Sequence, residues 1–390
     1  MKNKIIIIHY SEIGLKKGNR KFFEQKLKDN ILFALSDFEE KQVILDFGRV
    51  LLLMPYETLM DEIVERIRKI PGIAHFSVAK QGSTDIGILK QQIFDDVKDR
   101  QFTTFRVETK RTDKQFPMRS MDINKEVGAV IHMELNKPVD LKNAEFVVHI
   151  EIYNQKVFYY FDRTEGTRGL PVGSSGNVVS MLSSGIDSPV ASYKMMCRGC
   201  RVIFVHYHSF PFTDKTSYYN ALKLAEQLTQ YQLRTKIYFI SLADIQQAII
   251  ERAPTKLRLI LYRRMMYRLA ERIAAKERAK ALITGESVGQ VASQTLDNIA
   301  AISQAVTMPV LRPLIGMDKE SIVLEAKSIG TFSTSIEPYD DCCSFLVPRN
   351  PETHAKMHEV LAAEESISNW QELIEQALMQ IEMKYMVFPN

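Results

Sequence analysis

One short segment combines hydroxyl, carboxylate and glycine residues at the spacing of an anion-binding loop. Residues 182–189 read LSSGIDSP and lie between an apolar run and a predicted helix. Backbone N–H groups of such a turn and of the helix start converge on an anion, and the serine hydroxyls add further donors. Asp187 suits a helix cap or a magnesium ion, and Pro189 suits a first helical turn. The segment favours a phosphate cradle; a serine-rich turn with a good helix cap is the alternative.

Four short apolar runs predict the sheet that positions this loop. They lie at residues 178–182, 202–206, 237–240 and 281–284, separated by helical stretches. This alternation is typical of a doubly wound parallel sheet, in which ligands bind at the carboxyl ends of the strands. The loop follows the first of these strands, so the chemistry is expected at that edge of the sheet.

The amino-terminal part alternates strands and helices without a nucleotide-binding loop. We predict strands at about residues 5–9, 42–46, 49–54, 74–79, 104–110, 146–152 and 157–161, and helices at about 17–35, 57–70, 86–97 and 122–134. Two small α/β units fit this series. The glycine- and serine-rich stretch 163–177 predicts a linker. The expected domains are therefore residues 1–58, 59–167 and 168–390.

Length and composition limit the class of protein. The 390 residues are 45% hydrophobic and 25% charged, which predicts a folded chain of two to three domains. Four cysteines are too few for a disulfide framework, and the apolar run at 5–8 is too short for a signal peptide or membrane helix. These features predict a cytoplasmic protein that does not enter a membrane. The net charge of +4 does not by itself indicate nucleic acid, so RNA would have to bind local basic clusters.

Two basic clusters are candidates for such RNA contacts. Residues 105–120 carry five basic and two acidic side chains, interleaved with Phe105 and Phe116, which is the composition of a phosphate-contacting patch with rings that stack on bases. A second cluster spans residues 15–21 at a predicted helix start. A solvated strand edge and loop is the alternative for the first cluster. The candidate RNA-binding residues are Lys16, Lys17, Arg20, Lys110, Arg111 and Lys114.

The loop resembles that of the PP-loop ATP pyrophosphatases, which reads SGGxDS after a strand and serves to split ATP into AMP and pyrophosphate. Ser184 stands where that family has glycine. No GxxxxGK[ST] run occurs in the sequence, so a Walker-type kinase or GTPase is not supported. Further stretches are similar to one PP-loop family, the tRNA 4-thiouridine synthetases of the ThiI type. They are VHYHS at 205–209, LYRRMM at 261–266, TGESVGQVASQT at 284–295 and PVLRPLIGMDKE at 309–320.

This resemblance implies a fold and an activity. The fold would comprise an amino-terminal ferredoxin-like domain, a THUMP RNA-binding domain and a PP-loop domain with a doubly wound parallel sheet. The activity would use ATP and Mg²⁺ to adenylate uridine 8 of tRNA and to replace its O4 with sulfur, giving 4-thiouridine. A role in sulfur supply for thiamine synthesis is also implied.

The resemblance further implies roles for individual residues. Lys319, at a predicted helix start, would stabilise charge on the phosphates or the adenylated base, and Asp187, Lys319 and Cys343 would be catalytic. For Tyr207 and Gly285, core packing and an ordinary turn are the alternatives. The implied ATP contacts are Met181, Leu182, Ser183, Ser184, Gly185, Asp187, Ser188, His206, Tyr207, Arg263, Gly285 and Gln294.

The cysteines fall into two pairs. Cys197 and Cys200 lie on a predicted helix and are expected to be packing residues. Cys342 and Cys343 lie in a polar segment without periodicity, where thiols are available as nucleophiles or persulfide carriers, and the resemblance assigns the functional role to Cys343.

The sulfur source and the assembly are implied by the resemblance alone. The sequence ends at Asn390 after a stretch at 354–386 that we predict to be helical, so a form without the family's optional rhodanese-like domain is expected. Persulfide sulfur would then come directly from a cysteine desulfurase or from a separate carrier protein. The resemblance also implies a homodimer.

Two other functions stay open at this point. A PP-loop enzyme that transfers an amine to an RNA base would not need Cys343. A non-catalytic tRNA-binding protein with a degenerate loop, suggested by Ser184, would bind no ATP.

Overall fold

The computed structural model describes residues 3–46, 48–338 and 351–389. The chain forms two compact units, Met1–Gly169 and Leu170–Asn390. Within the described ranges, no helix combines the length and the apolar character that crossing a membrane requires.

Unit one contains a single twisted sheet with helices packed on it. In its described part the sheet has eight strands, in the order β2-β3-β1-β4-β7-β6-β5, and β8 pairs with β4. The strands are β1 (Asn3–His9), β2 (Gln42–Asp46), β3 (Arg49–Pro55), β4 (His75–Gly82), β5 (Phe105–Arg111), β6 (Phe146–Tyr153), β7 (Lys156–Tyr160) and β8 (Thr164–Glu165). The α-helices are α1 (Arg20–Ala34), α2 (Met60–Arg68), α3 (Ile86–Val97) and α4 (Ser120–Leu135). These elements confirm the predicted order of strands and helices.

The sheet of unit one is continuous through β4. Residues 75–79 of β4 pair with β1, and residues 80–82 pair with β7, both antiparallel. A buried carboxylate supports the same junction: Glu151 on β6 lies 2.8 Å from His9 Nε2 on β1 and 3.0 Å from Arg49 on β3. One strand therefore belongs to both halves of the sheet, and the limit at residue 58 stays a prediction.

Unit two is a six-stranded sheet in its described part, with the order β13-β12-β9-β10-β11-β14. The strands are β9 (Asn177–Met181), β10 (Arg201–His208), β11 (Arg234–Ser241), β12 (Leu282–Ile283), β13 (Val310–Leu311) and β14 (Glu382–Val387). The helices are α5 (Asp187–Cys197), α6 (Thr216–Gln232), α7 (Ala243–Arg252), α8 (Arg258–Lys276), α9 (Leu296–Ser303), α10 (Lys319–Ser328), α11 (Phe332–Ser335), α12 (Met357–Glu365) and α13 (Trp370–Met379).

Two apolar cores cover the two faces of this sheet, which confirms the doubly wound arrangement. One core includes side chains of α7, α8, α12 and α13, and the other includes side chains of α5, α6 and α10. The first five strands are parallel, and the chain runs outward from β9 to β10 and β11 before returning to β12 on the other side of β9. The order therefore reverses between β9 and β12, and ligands bind at such switch points.

The prediction of helix through residues 354–386 is wrong at its end. Helices α12 and α13 do form, but Glu382–Val387 is strand β14, antiparallel to β11. The open edge of β11 would otherwise present unpaired N–H and C=O groups, and pairing with β14 satisfies them. A distant strand edge thus overrides local helical character.

Candidate functional site

A cavity of about 350 Å³ opens at the switch point between β9 and β12. This is the size range of small-ligand pockets. All twelve residues predicted to contact ATP line it. Further lining residues are Ser217, Met266, Tyr267, Thr284, Glu286, Gln290 and Val291, which the sequence reasoning did not single out.

The serine-rich loop closes one end of the cavity. The backbone N–H of Ser183 donates to Ser188 Oγ at 2.9 Å, and the two hydroxyl oxygens are 3.0 Å apart. Helix α5 begins at Asp187, so its free N–H groups lie beside this hydroxyl cluster. The arrangement suits an anion, because helix N-terminal dipoles and N–H groups point the same way.

Ser184 occupies its position without backbone strain. Its φ lies outside the left-handed region that favours glycine, as does that of Gly185. The side chain is buried, and its Oγ donates to the backbone oxygen of Ser217 at 2.8 Å. Serine at this position therefore carries no backbone penalty, because the loop turns without a positive φ. Ser184 instead ties the loop to the start of α6.

Gly285 allows two backbones to meet. A Cβ at this position would lie 2.7 Å from the backbone nitrogen of Ser188 and 2.8 Å from the carbonyl carbon of Asp187. Such distances are shorter than real Cβ contacts, so only glycine lets the segment after β12 reach the first turn of α5. Close approach of backbone, not ordinary turn geometry, explains this residue.

His206 and Tyr207 lie where β10 reaches the cavity. The ring Nδ1 of His206 is 2.8 Å from the backbone oxygen of Leu182, and burial lowers the pKa of His206 to about 4. The ring is therefore neutral near pH 7, with Nδ1 as donor and Nε2 as a free acceptor. Nε2 is buried and has no hydrogen-bond partner among the residues that the structure describes. Tyr207 donates from its hydroxyl to the backbone oxygen of Met266.

Asp187 is held between two partners at the loop. Lys319 Nζ lies 2.6 Å from its Oδ1, and the amide of Gln290 donates to its Oδ2 at 2.9 Å. Lys319 is the first residue of α10, as predicted, and is about half exposed. Among the described residues, no three His, Cys, Asp or Glu side chains converge to hold a metal ion. Asp187 thus places a carboxylate, already paired with a cation, beside a loop suited to anions.

Glu286 organises the opposite wall of the cavity. Its side chain is 2% exposed, and its carboxylate accepts hydrogen bonds from Thr284 at 2.9 Å and Tyr267 at 3.0 Å. It also pairs with Arg263 at 3.3 Å and with Arg312 at 2.8 Å. The sequence signal for it was its place just after the predicted strand at 281–284. Glu286 fixes the predicted nucleotide contact Arg263 in the wall.

A second buried ion-pair group joins α12 to α8, the helix that carries Arg263. Arg264 is 1% exposed and donates two hydrogen bonds to Glu364, at 3.1 and 2.9 Å. Arg268 also pairs with Glu364, and its guanidinium lies 4.0 Å from the ring centroid of Trp370. The carboxyl-terminal helices are thereby fastened to the helix behind the cavity.

The structure describes one of the two cysteine pairs and not the other. Cys200 is buried, and burial raises the pKa of the Cys197 thiol to about 11, so both agree with a packing role. Cys342 and Cys343 lie outside the described residues. Of the described residues on either side of them, Ser335 donates to the backbone oxygen of Gly185, which lines the cavity, at 3.3 Å. Thr295, which follows the cavity-lining Gln294, donates to the backbone oxygen of Thr353 at 2.7 Å.

The candidate RNA-binding residues of unit one differ in exposure and in the contacts that their side chains already make. Lys17, Lys110 and Lys114 are exposed, whereas Arg20 donates to Glu24 and to the hydroxyl of Tyr10 at 2.8 Å each. Lys16 is partly buried and lies over the Phe23 ring, and Arg111 donates to the backbone oxygen of Phe116 at 2.8 Å.

The expectation that Phe105 and Phe116 stack on bases is wrong. Both phenyl rings are buried, at 0% and 8% exposure, in the core beneath α3 and α4. Their alternation with charged residues is that of a strand and loop with one face in the core.

Comparison with known families divides the chain into three matching parts. Residues 173–369 match the family described as Thiamine biosynthesis protein (ThiI), residues 5–77 match the ThiI ferredoxin-like domain, and residues 86–162 match the THUMP domain.

Individual relatives align over nearly the whole chain. A protein named Probable tRNA sulfurtransferase from Thermoanaerobacter pseudethanolicus is 41% identical, covering 93% of this chain and 95% of its own. One of the same name from Thermus thermophilus is 39% identical, covering 100% and 96%. The crystal structure of a 4-thiouridine synthetase–RNA complex with bound ATP superimposes with a TM-score of 0.89 at 35% identity, covering 99% of this chain and 100% of that one.

Proposed function

The chain belongs to the ThiI family and is an ATP-dependent tRNA sulfurtransferase, and we propose that it converts uridine 8 of tRNA into 4-thiouridine. The amine-transfer and non-catalytic hypotheses are thereby set aside. The observation that carries the proposal is the single cavity at the switch point, lined by all twelve predicted nucleotide contacts. A supply of sulfur for thiamine synthesis, in the cytoplasm, is part of the same proposal.

We propose that ATP lies with its phosphates on the loop and its adenine at the end of β10. The hydroxyls of Ser183 and Ser188 and the start of α5 form the phosphate end. The acceptor Nε2 of His206 suits the exocyclic amine of adenine, which is a donor and would be the partner that Nε2 lacks among the described residues. Arg263 and Gln294 complete the contacts from the opposite wall.

Mg²⁺ fits this site only together with the nucleotide. Asp187 would supply one carboxylate, and phosphate oxygens would supply further oxygen ligands, because no three His, Cys, Asp or Glu side chains of the described residues converge on a metal position. Bound Mg²⁺ would neutralise charge on the phosphates. Lys319, already beside Asp187, brings a second cation to the same end, where it would stabilise charge on the departing pyrophosphate.

The chemistry that follows is two substitutions and a thiol exchange. The O4 oxygen of the uridine attacks the α-phosphorus of ATP, and pyrophosphate leaves with its bridging oxygen. The terminal sulfur of a persulfide then attacks C4, and AMP leaves with the former O4. A second thiol breaks the remaining sulfur–sulfur bond and forms a disulfide, which leaves sulfur on the base.

We propose that Cys343 takes part in the sulfur step, with Cys342 beside it. Two contacts support this role: Ser335 donates to the cavity-lining Gly185, and Thr353 accepts from Thr295, next to the cavity-lining Gln294. These described residues lie in the sequence on either side of the two cysteines. A cysteine desulfurase or a separate persulfide carrier would supply the sulfur, and the enzyme would act as a homodimer.

The tRNA contacts are proposed on the basic residues of unit one. Lys17, Lys110 and Lys114 are exposed and available to phosphates, whereas Lys16, Arg20 and Arg111 would contribute positive potential from partly engaged positions.

The proposal is tested by incubating the protein with ATP, Mg²⁺, a persulfide donor and unmodified tRNA. We expect thiouridine in the tRNA and one pyrophosphate per thiolation, and no thiouridine in a tRNA that carries cytidine at position 8. Cys343→Ala should still release pyrophosphate with tRNA but form no thiouridine. Thiolation of the position-8 variant, or a Cys343→Ala protein with full thiolation, would contradict the proposal.

A further inference from the structure

A short turn at the rim of the cavity carries exposed aromatic rings. Residues 208–216 connect Tyr207, which lines the cavity, to Ser217, which also lines it. Both ends of the turn therefore lie at the cavity. Within it, Phe210 is 47% exposed and Phe212 is 45% exposed.

The exposure of Phe210 is a fixed property of this turn. Ser209 is fully buried and donates from its hydroxyl to Gln246 at 2.6 Å. The backbone N–H groups of Phe212 and Thr213 donate to the backbone oxygen of Ser209, at 2.7 and 3.3 Å. Anchored in this way, the backbone around Ser209 cannot easily move to draw the Phe210 ring into the core.

The segment that follows β12 also carries exposed apolar side chains. Val288 is 45% exposed, and Val291, which lines the cavity, is 49% exposed. Both belong to the segment that follows β12. Exposed apolar side chains on two segments that both reach one cavity indicate a binding surface, whereas apolar side chains scattered singly over a surface do not.

A cation accompanies the Phe210 ring. Lys215 Nζ lies 4.9 Å from the ring centroid. The neighbouring carboxylate, Asp214, is engaged with the N–H and hydroxyl of Thr216, at 2.8 and 2.7 Å, at the start of α6. A planar ring with a cation at its side is the combination with which proteins bind unstacked nucleotides, the ring taking the base and the cation a phosphate.

We propose that Phe210 is a stacking platform for an unstacked base of the tRNA at the cavity mouth, with Lys215 on the adjacent phosphate. This inference rests on the proposed function, since a uridine can present O4 to the α-phosphorus of ATP only after it leaves its stack. Extruding a base costs a few kcal/mol, and stacking on an aromatic side chain offsets part of that cost. Stacking on Phe210 thus stabilises the extruded form of the tRNA uridine beside the bound ATP.

The test is a set of Phe210 variants in an assay without any sulfur donor. It measures tRNA-dependent pyrophosphate release at limiting tRNA. We expect Phe210→Ala to lower kcat/KM for tRNA by roughly 5- to 150-fold. Phe210→Tyr, which keeps a planar ring, should stay within about twofold of wild type, whereas Phe210→Leu, which is apolar but not planar, should resemble Phe210→Ala.

Two controls separate stacking from other effects. The Kd of ATP by calorimetry and the Tm should be unchanged in all Phe210 variants, and Met379→Ala, which removes an 84% exposed apolar side chain from the end of α13, should behave as wild type. Full activity of Phe210→Leu, or an unaffected Phe210→Ala, would overturn the platform.

The remaining outcomes are also decisive. A Phe210→Ala protein that releases pyrophosphate normally but fails only with a protein sulfur donor would identify a docking surface for that donor and refute base stacking. A wild-type protein without tRNA-dependent pyrophosphate release would overturn the proposed function itself. An active wild type with an unaffected Phe210→Ala would overturn the platform alone.

Discussion

Replacing Gly285 with alanine is the sharpest perturbation that the site offers. The new Cβ would meet backbone atoms of Asp187 and Ser188, which cannot rotate away as a side chain can. Ordinary contact begins at 3.4 Å, and the distance to Ser188 N would be 2.7 Å, so the two segments must separate by about 0.7 Å, the difference of these values. That displacement moves the first turn of α5 away from the wall that carries Glu286.

The expected loss follows from that displacement. Misplacing catalytic groups by about 1 Å can lower a rate by about 10²-fold, so pyrophosphate release should fall by roughly 10- to 100-fold. Overpacking typically lowers the free energy of unfolding by about 1–3 kcal/mol, which for a unit of this size corresponds to roughly 2–10 °C in Tm. The Kd of ATP should rise as well.

The assay combines calorimetry with ATP, pyrophosphate release with tRNA, and thermal unfolding followed by the fluorescence of Trp370, the one tryptophan of the sequence. Gly316→Ala is the matched control, because a Cβ there meets nothing within 4 Å and the φ of Gly316 is not left-handed. Wild-type ATP affinity and rate in Gly285→Ala, or an equal loss in Gly316→Ala, would refute the close-approach argument.

Three further predictions concern buried charge and hydrogen bonding around the same cavity. Glu286→Gln should raise the Kd of ATP by roughly 10- to 100-fold, because an amide cannot balance the charges of Arg263 and Arg312; calorimetry measures this, and an unchanged Kd would contradict it. Glu364→Ala should lower the free energy of unfolding of unit two by about 3–5 kcal/mol, since Arg264 is left buried without its carboxylate. Urea unfolding followed by Trp370 fluorescence measures this change, and a loss of less than about 1 kcal/mol would contradict the prediction. Because the pKa of His206 is about 4 in the folded state, against an ordinary 6.5, the unfolded chain takes up a proton first as pH falls. The contribution is complete above pH 6.5 and is lost toward pH 4, so wild type should lose about 2 kcal/mol more than His206→Asn between pH 6.5 and pH 5; equal losses in urea unfolding would show that the ring is not buried in its neutral form.

Much of the site was predictable from the sequence because its parts are local. The loop at 182–189 carries its serines, aspartate and helix start within eight consecutive residues, and the apolar runs before it and before Gly285 are recognisable strands. Parallel strands bring their carboxyl ends to one edge, so loops after separate strands meet without further information. Met181, at the end of β9, and Gln294, after β12, both line the cavity, as the resemblance to the ThiI type implies.

The remainder depended on partners far along the chain. The local sequence does not show that Glu286 contacts several side chains, because its partners Arg263, Tyr267 and Arg312 come from other elements. Likewise, strand β14 exists because an edge of β11 is available for pairing, which the local sequence does not record.

By itself the sequence determined the strand and helix order of unit one, the anion-binding loop and the edge of the sheet where the chemistry lies, since periodicity and loop composition act over a few residues. Only the tertiary structure decided which side chains are free. It buried Phe105 and Phe116, which alternate with charged residues, and it left Phe210 exposed at the cavity mouth. Whether a side chain is buried depends on which distant surfaces pack together. The local sequence around an aromatic residue is similar whether its ring lies in a core or on a binding surface.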